Sequence, residues 1–162
     1  MTLSIVEVYN FLGRRNLGVI STVSEQGTPE AALINYGVTE HLELILETLQ
    51  TSRKYKNLYR NPNMAMVVGT GKECLTCQYE GVVSWPSDAA LPGLLDIYFA
   101  ARPEGLLHRG WPDLVYLLVR PIWIRISNYD LMDWKVQELD LQDLPTETDQ
   151  MSASVALPPP PE

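Results

Sequence analysis

Three neighbouring side chains, Ser52, Arg53 and Lys54, have the types and the spacing expected of a site that binds a small anion. They stand where an alternating β pattern, residues 42–48, gives way to a helical pattern. The N–H groups at a helix N-terminus are already positive, so two cations in the first turn favour an anion between them. A phosphate would accept hydrogen bonds from the hydroxyl, the backbone and the guanidinium. A solvated basic helix face is the alternative, because two more basic residues follow in the same helix.

Strands predominate among the elements that must position these side chains. A capping-box pattern beginning at Ser4 predicts a helix over 4–12, and a second helix is predicted over 92–101. Short turns between the strands predict an antiparallel arrangement, and a small closed barrel is favoured over a sandwich because it removes exposed sheet edges. Pro121 lies within the last strand and predicts a bulge or bend there. The predicted strands cover residues 17–23, 30–38, 42–48, 64–68, 75–84 and 114–127.

Residues 51–62 read Thr-Ser-Arg-Lys-x-x-Asn-Leu-x-x-Asn-Pro, and the apolar strand 64–68 follows them. This pattern resembles the pyridoxamine 5′-phosphate oxidase-like superfamily of FMN-binding split barrels. The resemblance extends from residue 17 to about residue 129. It implies a mainly β fold with short helices, a six-stranded antiparallel split β-barrel that binds FMN. In that family Ser52, Arg53 and Lys54 would hold the FMN phosphate.

The same resemblance implies further cofactor contacts and a homodimer. The second strand would lay its backbone along the isoalloxazine ring, and the end of the third strand would lie near the ring or the ribityl chain. A polar residue of the fifth strand would reach the flavin from the partner subunit. The residues that match these positions are Ala31, Ala32 and Leu33 on the second strand, Glu47 and Thr48 on the third, and Thr76 on the fifth.

A flavin carries its own redox chemistry, so the family predicts an FMN-dependent oxidoreductase that acts on a small-molecule substrate. The sequence departs from the true oxidases at three positions: Glu30 replaces an arginine, Asn35 a lysine and Ser127 a tryptophan. These changes argue against oxidation of a vitamin phosphate. A deazaflavin-dependent reductase on the same barrel and a non-enzymatic carrier or sensor of flavin or haem are the alternatives.

Composition narrows the possible partners and the compartment. The chain has 162 residues and a net charge of −8, without the broad basic surface that nucleic-acid binding needs. It has no apolar run that could span a membrane and no signal-peptide pattern, so we expect a cytoplasmic protein. Cys74 and Cys77 form a C-x-x-C, but residues three apart on a strand point to opposite faces, so we expect neither a metal site nor a redox pair.

The C-terminal part differs from the rest in charge. After Lys135 the chain has six acidic residues and no basic one, and four consecutive prolines precede Glu162. We therefore divide the chain into a barrel domain, residues 1–135, and an acidic, proline-rich tail, residues 136–162, that is predicted to be disordered.

Overall fold

Local sequence signals set the helix boundaries in the computed structural model, which describes residues 3–69, 74–129 and 135–142. The first helix, α1, is Ile5–Gly13, and Ser4 and Glu7 form the predicted capping box at its start. The helix after the third strand, α2, is Arg53–Arg60, and α3 is Leu91–Ala101. A short 3₁₀ segment, Pro103–His108, lies between the predicted helix 92–101 and the predicted strand 114–127, where the sequence predicts no regular element.

The sheet closes on itself. Its strands lie in the order β3-β2-β1-β4-β5-β6, and β3 also pairs with β6, so six antiparallel strands form a closed barrel. This confirms the split barrel rather than the sandwich. A seventh strand lies outside the ring, against β6. The strands are β1 Leu17–Val23, β2 Pro29–Val38, β3 Leu44–Leu49, β4 Asn63–Gly69, β5 Leu75–Ser84, β6 Leu114–Asn128 and β7 Lys135–Asp140.

The barrel interior is apolar, and two of its buried tyrosines donate to backbone carbonyl oxygens. The Tyr79 hydroxyl donates to the carbonyl oxygens of Leu42, at 2.9 Å, and Val119, at 3.2 Å. The Tyr36 hydroxyl donates to the Leu12 carbonyl oxygen at 3.0 Å and so ties the end of α1 to the barrel. These bonds satisfy polar groups that burial would otherwise leave unpaired.

Strand β3 is buried on both faces, which differs from the half-buried strand that its alternating pattern predicts. Its outer face is covered because Ile45 packs with Tyr98 of α3 and Leu118 of β6 in a second apolar cluster. The helix approaches closely at Gly37, where an added Cβ would lie 3.0 Å from the Tyr98 Cα. Tertiary packing of α3, which the strand pattern does not encode, therefore explains the difference.

The predicted irregularity in β6 is present. The β5–β6 register shifts between Glu80 and Gly81, because Glu80 pairs with Trp123 and Gly81 pairs with Pro121. Ile122 is the extra residue of this bulge. An added Cβ at Gly81 would lie 2.6 Å from the Arg120 carbonyl oxygen, so the close approach here needs glycine.

The start of the predicted tail is ordered structure, which corrects the assignment of residues 136–142 to it. Strand β7 pairs with β6 from Trp123↔Asp140 to Asn128↔Lys135. Leu141 follows and is buried in the main core, and its N–H donates to the Ile122 carbonyl oxygen at 2.8 Å. The acidic residues of β7 are compatible with an edge strand, because their side chains stay in solvent. The rest of the predicted tail, residues 143–162, lies outside the described residues.

Candidate functional site

The N-terminus of α2 has the local geometry that the anion prediction requires. Ser52 is the N-cap, and its hydroxyl accepts the Tyr55 N–H at 3.3 Å and forms a 3.1 Å hydrogen bond with the Thr48 hydroxyl. The backbone N–H groups of Arg53 and Lys54 belong to the first turn, where a helix offers no acceptor of its own. Ser52 and Thr48 therefore fix the helix start, and the first turn presents N–H groups together with two cationic side chains.

The two cations differ in exposure. The Arg53 side chain is 82% exposed, whereas Lys54 is partly buried. A long, exposed guanidinium beside a capped helix start provides bidentate donors, and the ammonium adds a point charge. This donor set fits the phosphate of FMN, which needs several N–H donors and positive charge in one place.

The opening that makes the barrel split lies beside this helix start. Strand β2 pairs with β1 from Pro29 to Asn35, but it pairs with β3 only from Tyr36 to Val38. Strand β3 then leaves β2 and continues along β6 as far as Leu49. Within the described residues, no strand pairs with the other edge of β2 between Glu30 and Asn35.

The predicted ring-binding residues occupy this unpaired edge. Ala31 and Leu33 are exposed and point outward, whereas Ala32 packs against the main core. Backbone groups along such an edge can donate to and accept from the polar rim of a flavin ring without a side chain between them. The edge and the α2 start thus combine a surface for a planar ring with donors for a phosphate.

A polar network joins the two parts of the site. The Glu30 carboxylate of β2 accepts hydrogen bonds from the Arg53 guanidinium and, at 3.0 Å, from the Asn57 side-chain amide. The same amide donates to the Thr22 hydroxyl at 3.0 Å. Glu30 is one of the departures from the oxidase pattern, so the position that carries a cation in the oxidases carries an anion here.

The structure does not bring the Glu47 side chain to the α2 start. Successive side chains of a strand point to opposite faces, and Thr48 faces Ser52. Glu47 faces the other way and forms a 3.1 Å contact with His108 Nδ1. Tyr116 lies opposite it on β6, where burial and the Glu47 charge raise the pKa of the phenol to about 12. Any contact of Glu47 with a cofactor in this groove would have to come from its backbone.

Thr76 is also remote from this groove within one chain. It lies on β5, and β1 and β4 separate β5 from β2. Thr76 can therefore join the groove only from a second copy, as the predicted shared site requires.

Two features of the site were missed from the sequence. The first is Asn57, for which the sequence motif over residues 51–62 predicts no separate role. Its side chain is buried, and its amide donates to the Glu30 carboxylate. A polar residue four positions after Arg53 shares its helix face, and this spacing is the signal that indicates the role. The second feature is His108, whose Nδ1 contacts Glu47 and whose ring is tilted by 51° to the Trp111 ring, with the two centroids 4.5 Å apart. No local pattern indicates the contact between His108 and Glu47, because these two residues are 61 positions apart in the sequence.

Other kinds of site find no support in the described ranges. Residues 3–69, 74–129 and 135–142 contain no group of three or more His, Cys, Asp or Glu side chains placed to hold a metal ion. Cys74 is exposed and directly precedes β5, whereas Cys77 is buried on that strand. Burial raises the pKa of the Cys77 thiol to about 12. None of the described helices has the length and apolar character needed to cross a membrane.

Comparisons with known proteins agree with this fold. A haem-binding protein from Mycobacterium smegmatis has a TM-score of 0.70 at 17% identity, over 83% of this chain and 59% of that one, so the chain spans less than two thirds of its length. General Stress Protein 26 from Bacillus anthracis has a TM-score of 0.62 at 21% identity, over 85% of this chain and 100% of that one. A pyridoxamine 5′-phosphate oxidase-related, FMN binding protein from Nostoc punctiforme has a TM-score of 0.59 at 14% identity, over 84% of this chain and 93% of that one.

At these identities the structural likenesses show the fold alone. No curated protein sequence matches the chain. The sequence model of the pyridoxamine 5′-phosphate oxidase family, however, matches residues 6–126, which is most of the chain and includes the whole candidate site. The chain belongs to the family of pyridoxamine 5′-phosphate oxidase-like split barrels.

Proposed function

We propose that this protein is an FMN-binding oxidoreductase that acts on a small-molecule substrate. One observation carries the proposal: the unpaired edge of β2, at Ala31–Leu33, lies beside a capped helix start that presents Ser52, Arg53 and Lys54. Family membership and an FMN-binding structural neighbour support the flavin.

The chain's own residues would bind and orient the cofactor. Arg53 and Lys54 would neutralise the phosphate, and the first-turn N–H groups would donate to its oxygens. Ser52 is already held by Thr48, so the helix start needs little reorganisation to bind. The β2 backbone would fix the ring against the barrel. Bound FMN would supply the hydride or electron transfer itself.

We further propose that the protein is a homodimer with two shared sites. Leu33, Val19 and Val67 lie in one row across β2, β1 and β4, because Val19 pairs with both of the others. All three are exposed, and Leu33 is 68% exposed. Thr76 lies at the far side of the same outward face, and a second copy docked on this face would bring it towards the groove. The exposed apolar row and the incomplete groove thus favour the same partner, a second copy of this chain.

The absorption spectrum of the freshly purified protein, followed by titration of the apoprotein, tests the cofactor. We expect a flavin spectrum and much weaker binding of riboflavin than of FMN, because each charge-assisted hydrogen bond to the phosphate contributes about 1.5–3 kcal/mol. Arg53→Ala should weaken FMN binding without changing the melting temperature. Arg60→Ala, which removes an exposed arginine from the other end of α2, is the matched control and should leave FMN binding intact. A haem or deazaflavin spectrum, or equal affinities for FMN and riboflavin, would overturn the FMN assignment.

Light scattering tests the assembly. We expect a dimer of the 18.3 kDa chain, and Leu33→Glu should dissociate it, because the change places a charge in the apolar row. Leu107→Glu makes the same change at an exposed leucine of the 3₁₀ segment and should leave the dimer intact. A monomer that still binds FMN tightly would contradict the shared site.

A further inference from the structure

The Glu30 carboxylate lies where it competes with a bound anion for the same donor. It accepts from the Arg53 guanidinium, the most exposed cation of the proposed phosphate site. Glu30 also directly precedes Ala31, the first residue of the proposed ring-binding edge. The carboxylate is therefore adjacent to both halves of the FMN site.

The two partners of this ion pair are not equally held. The Glu30 side chain is only 17% exposed, and the buried Asn57 amide fixes its second oxygen at 3.0 Å. Thr22 holds that amide in turn, at 3.0 Å. Arg53 has no such constraint, since its side chain is 82% exposed. The carboxylate is thus the fixed member of the pair, and the guanidinium comes to it.

We propose that Glu30 is an internal counter-ion that sets how strongly this site discriminates between phosphorylated and unphosphorylated flavins. The inference rests on the proposed FMN function. A phosphate bound at the α2 start must share the guanidinium with Glu30 and is repelled by the fixed negative charge. An unphosphorylated flavin needs neither Arg53 nor a neutral neighbour at that place. Glu30 therefore weakens the binding of FMN and leaves the affinity for riboflavin unchanged.

A substitution that removes the charge of Glu30 but keeps the shape of its side chain tests this inference. Glu30→Gln keeps the side-chain length and leaves an amide oxygen that can accept from Asn57. The apoproteins are titrated with FMN and with riboflavin, and binding is followed by the change in flavin fluorescence. We expect the ratio of the riboflavin to the FMN dissociation constant to rise about tenfold in the variant, since a unit charge is removed from a partly buried site beside the phosphate. The riboflavin constant should change less than about twofold.

A matched control separates this local effect from a change in net charge. Glu25→Gln removes the same charge from an exposed carboxylate that lies 3.8 Å from Arg60, at the other end of α2. It should leave both dissociation constants within about twofold of the wild type. Glu30→Met provides a second uncharged side chain of similar length if the glutamine variant does not fold, and it should raise the ratio in the same way.

The possible outcomes distinguish the two proposals. If the wild type binds FMN and the Glu30 variants bind it equally well or more weakly, the counter-ion role is wrong and the FMN function stands. Weaker binding would mean that the carboxylate orients Arg53 for the phosphate. If neither flavin binds to any of the proteins, the proposed function fails and the counter-ion role fails with it.

Discussion

Leu141 offers a direct test of whether the chain beyond residue 135 belongs to the folded domain. Its side chain is 6% exposed and packs in the main core, although it follows an acidic edge strand in a region that the composition assigns to a disordered tail. The perturbation is Leu141→Ala. It removes buried methyl groups but keeps the backbone N–H that donates to the Ile122 carbonyl oxygen.

The expected loss in the free energy of unfolding of Leu141→Ala follows from the burial of the side chain and from its position in the fold. Leucine-to-alanine changes at buried sites cost about 2–5 kcal/mol, because the loss of burial is added to the cost of the cavity. Leu141 lies at the end of an edge strand, where neighbouring side chains can partly close the cavity, so we expect about 2–3 kcal/mol. For a chain of this length the melting temperature falls by roughly 2–4 °C per kcal/mol, which gives a fall of about 4–12 °C.

Urea denaturation followed by circular dichroism measures the free energy of unfolding, and the slope shows whether the same surface is exposed. Leu107→Ala is the control, because it removes the same atoms from a side chain that is 78% exposed. It should change the free energy of unfolding by less than about 0.5 kcal/mol. Equal, small effects of the two changes would refute the docking of Leu141 and would return residues 136–142 to the tail.

Four further predictions concern the C-terminal residues, two buried tyrosines and the two cysteines. A chain that ends at Gln142 should keep the melting temperature and the cofactor affinity of the 162-residue chain; loss of either would show that residues 143–162 contribute. Tyr79→Phe should cost about 1–1.5 kcal/mol in urea unfolding, because it removes a hydroxyl that donates to two backbone carbonyls. Tyr98→Phe should be neutral or stabilising, since that buried hydroxyl has no partner among the described residues, and a cost equal to that of Tyr79→Phe would reveal a partner. A thiol reagent at neutral pH should modify Cys74 rapidly and Cys77 only after unfolding, because burial raises the pKa of the Cys77 thiol to about 12; two fast equivalents in the native protein would contradict this.

The helix start was predictable because its determinants are local. The change from a two-residue to a helical period places Ser52 at the N-cap, and capping depends only on residues within one turn. The bulge opposite Gly81 was predictable for a similar reason, since proline cannot donate to the strand ladder at any position. The burial of both faces of β3 was not predictable, because it depends on α3, whose contacting residues lie about fifty positions further along the chain.

The assignment of residues 136–142 to the tail was wrong because composition averages over residues that behave differently. Acidic side chains on β7 stay in solvent, so they oppose neither strand pairing nor the burial of Leu141 after it. Leu139 and Leu141 do alternate with Glu138 and Asp140, but this pattern is too short and too polar to indicate a strand by itself. Pairing with the long edge of β6 stabilises it, and that edge exists only once the barrel has formed.

The sequence by itself determined the strands of the barrel, the helix that carries Ser52, Arg53 and Lys54, and the family, because short-range periodicity, capping and a local motif encode them. Only the tertiary structure decided what surrounds those side chains. It brought Glu30 to Arg53 and Asn57, turned Glu47 towards His108, and left the β2 edge unpaired beside the helix. These side-chain contacts join residues that are between 23 and 61 positions apart, and their geometry follows from where β3 separates from β2 as the barrel closes. No local sequence pattern predicts where β3 separates from β2, because that position depends on all the strand pairings of the barrel together.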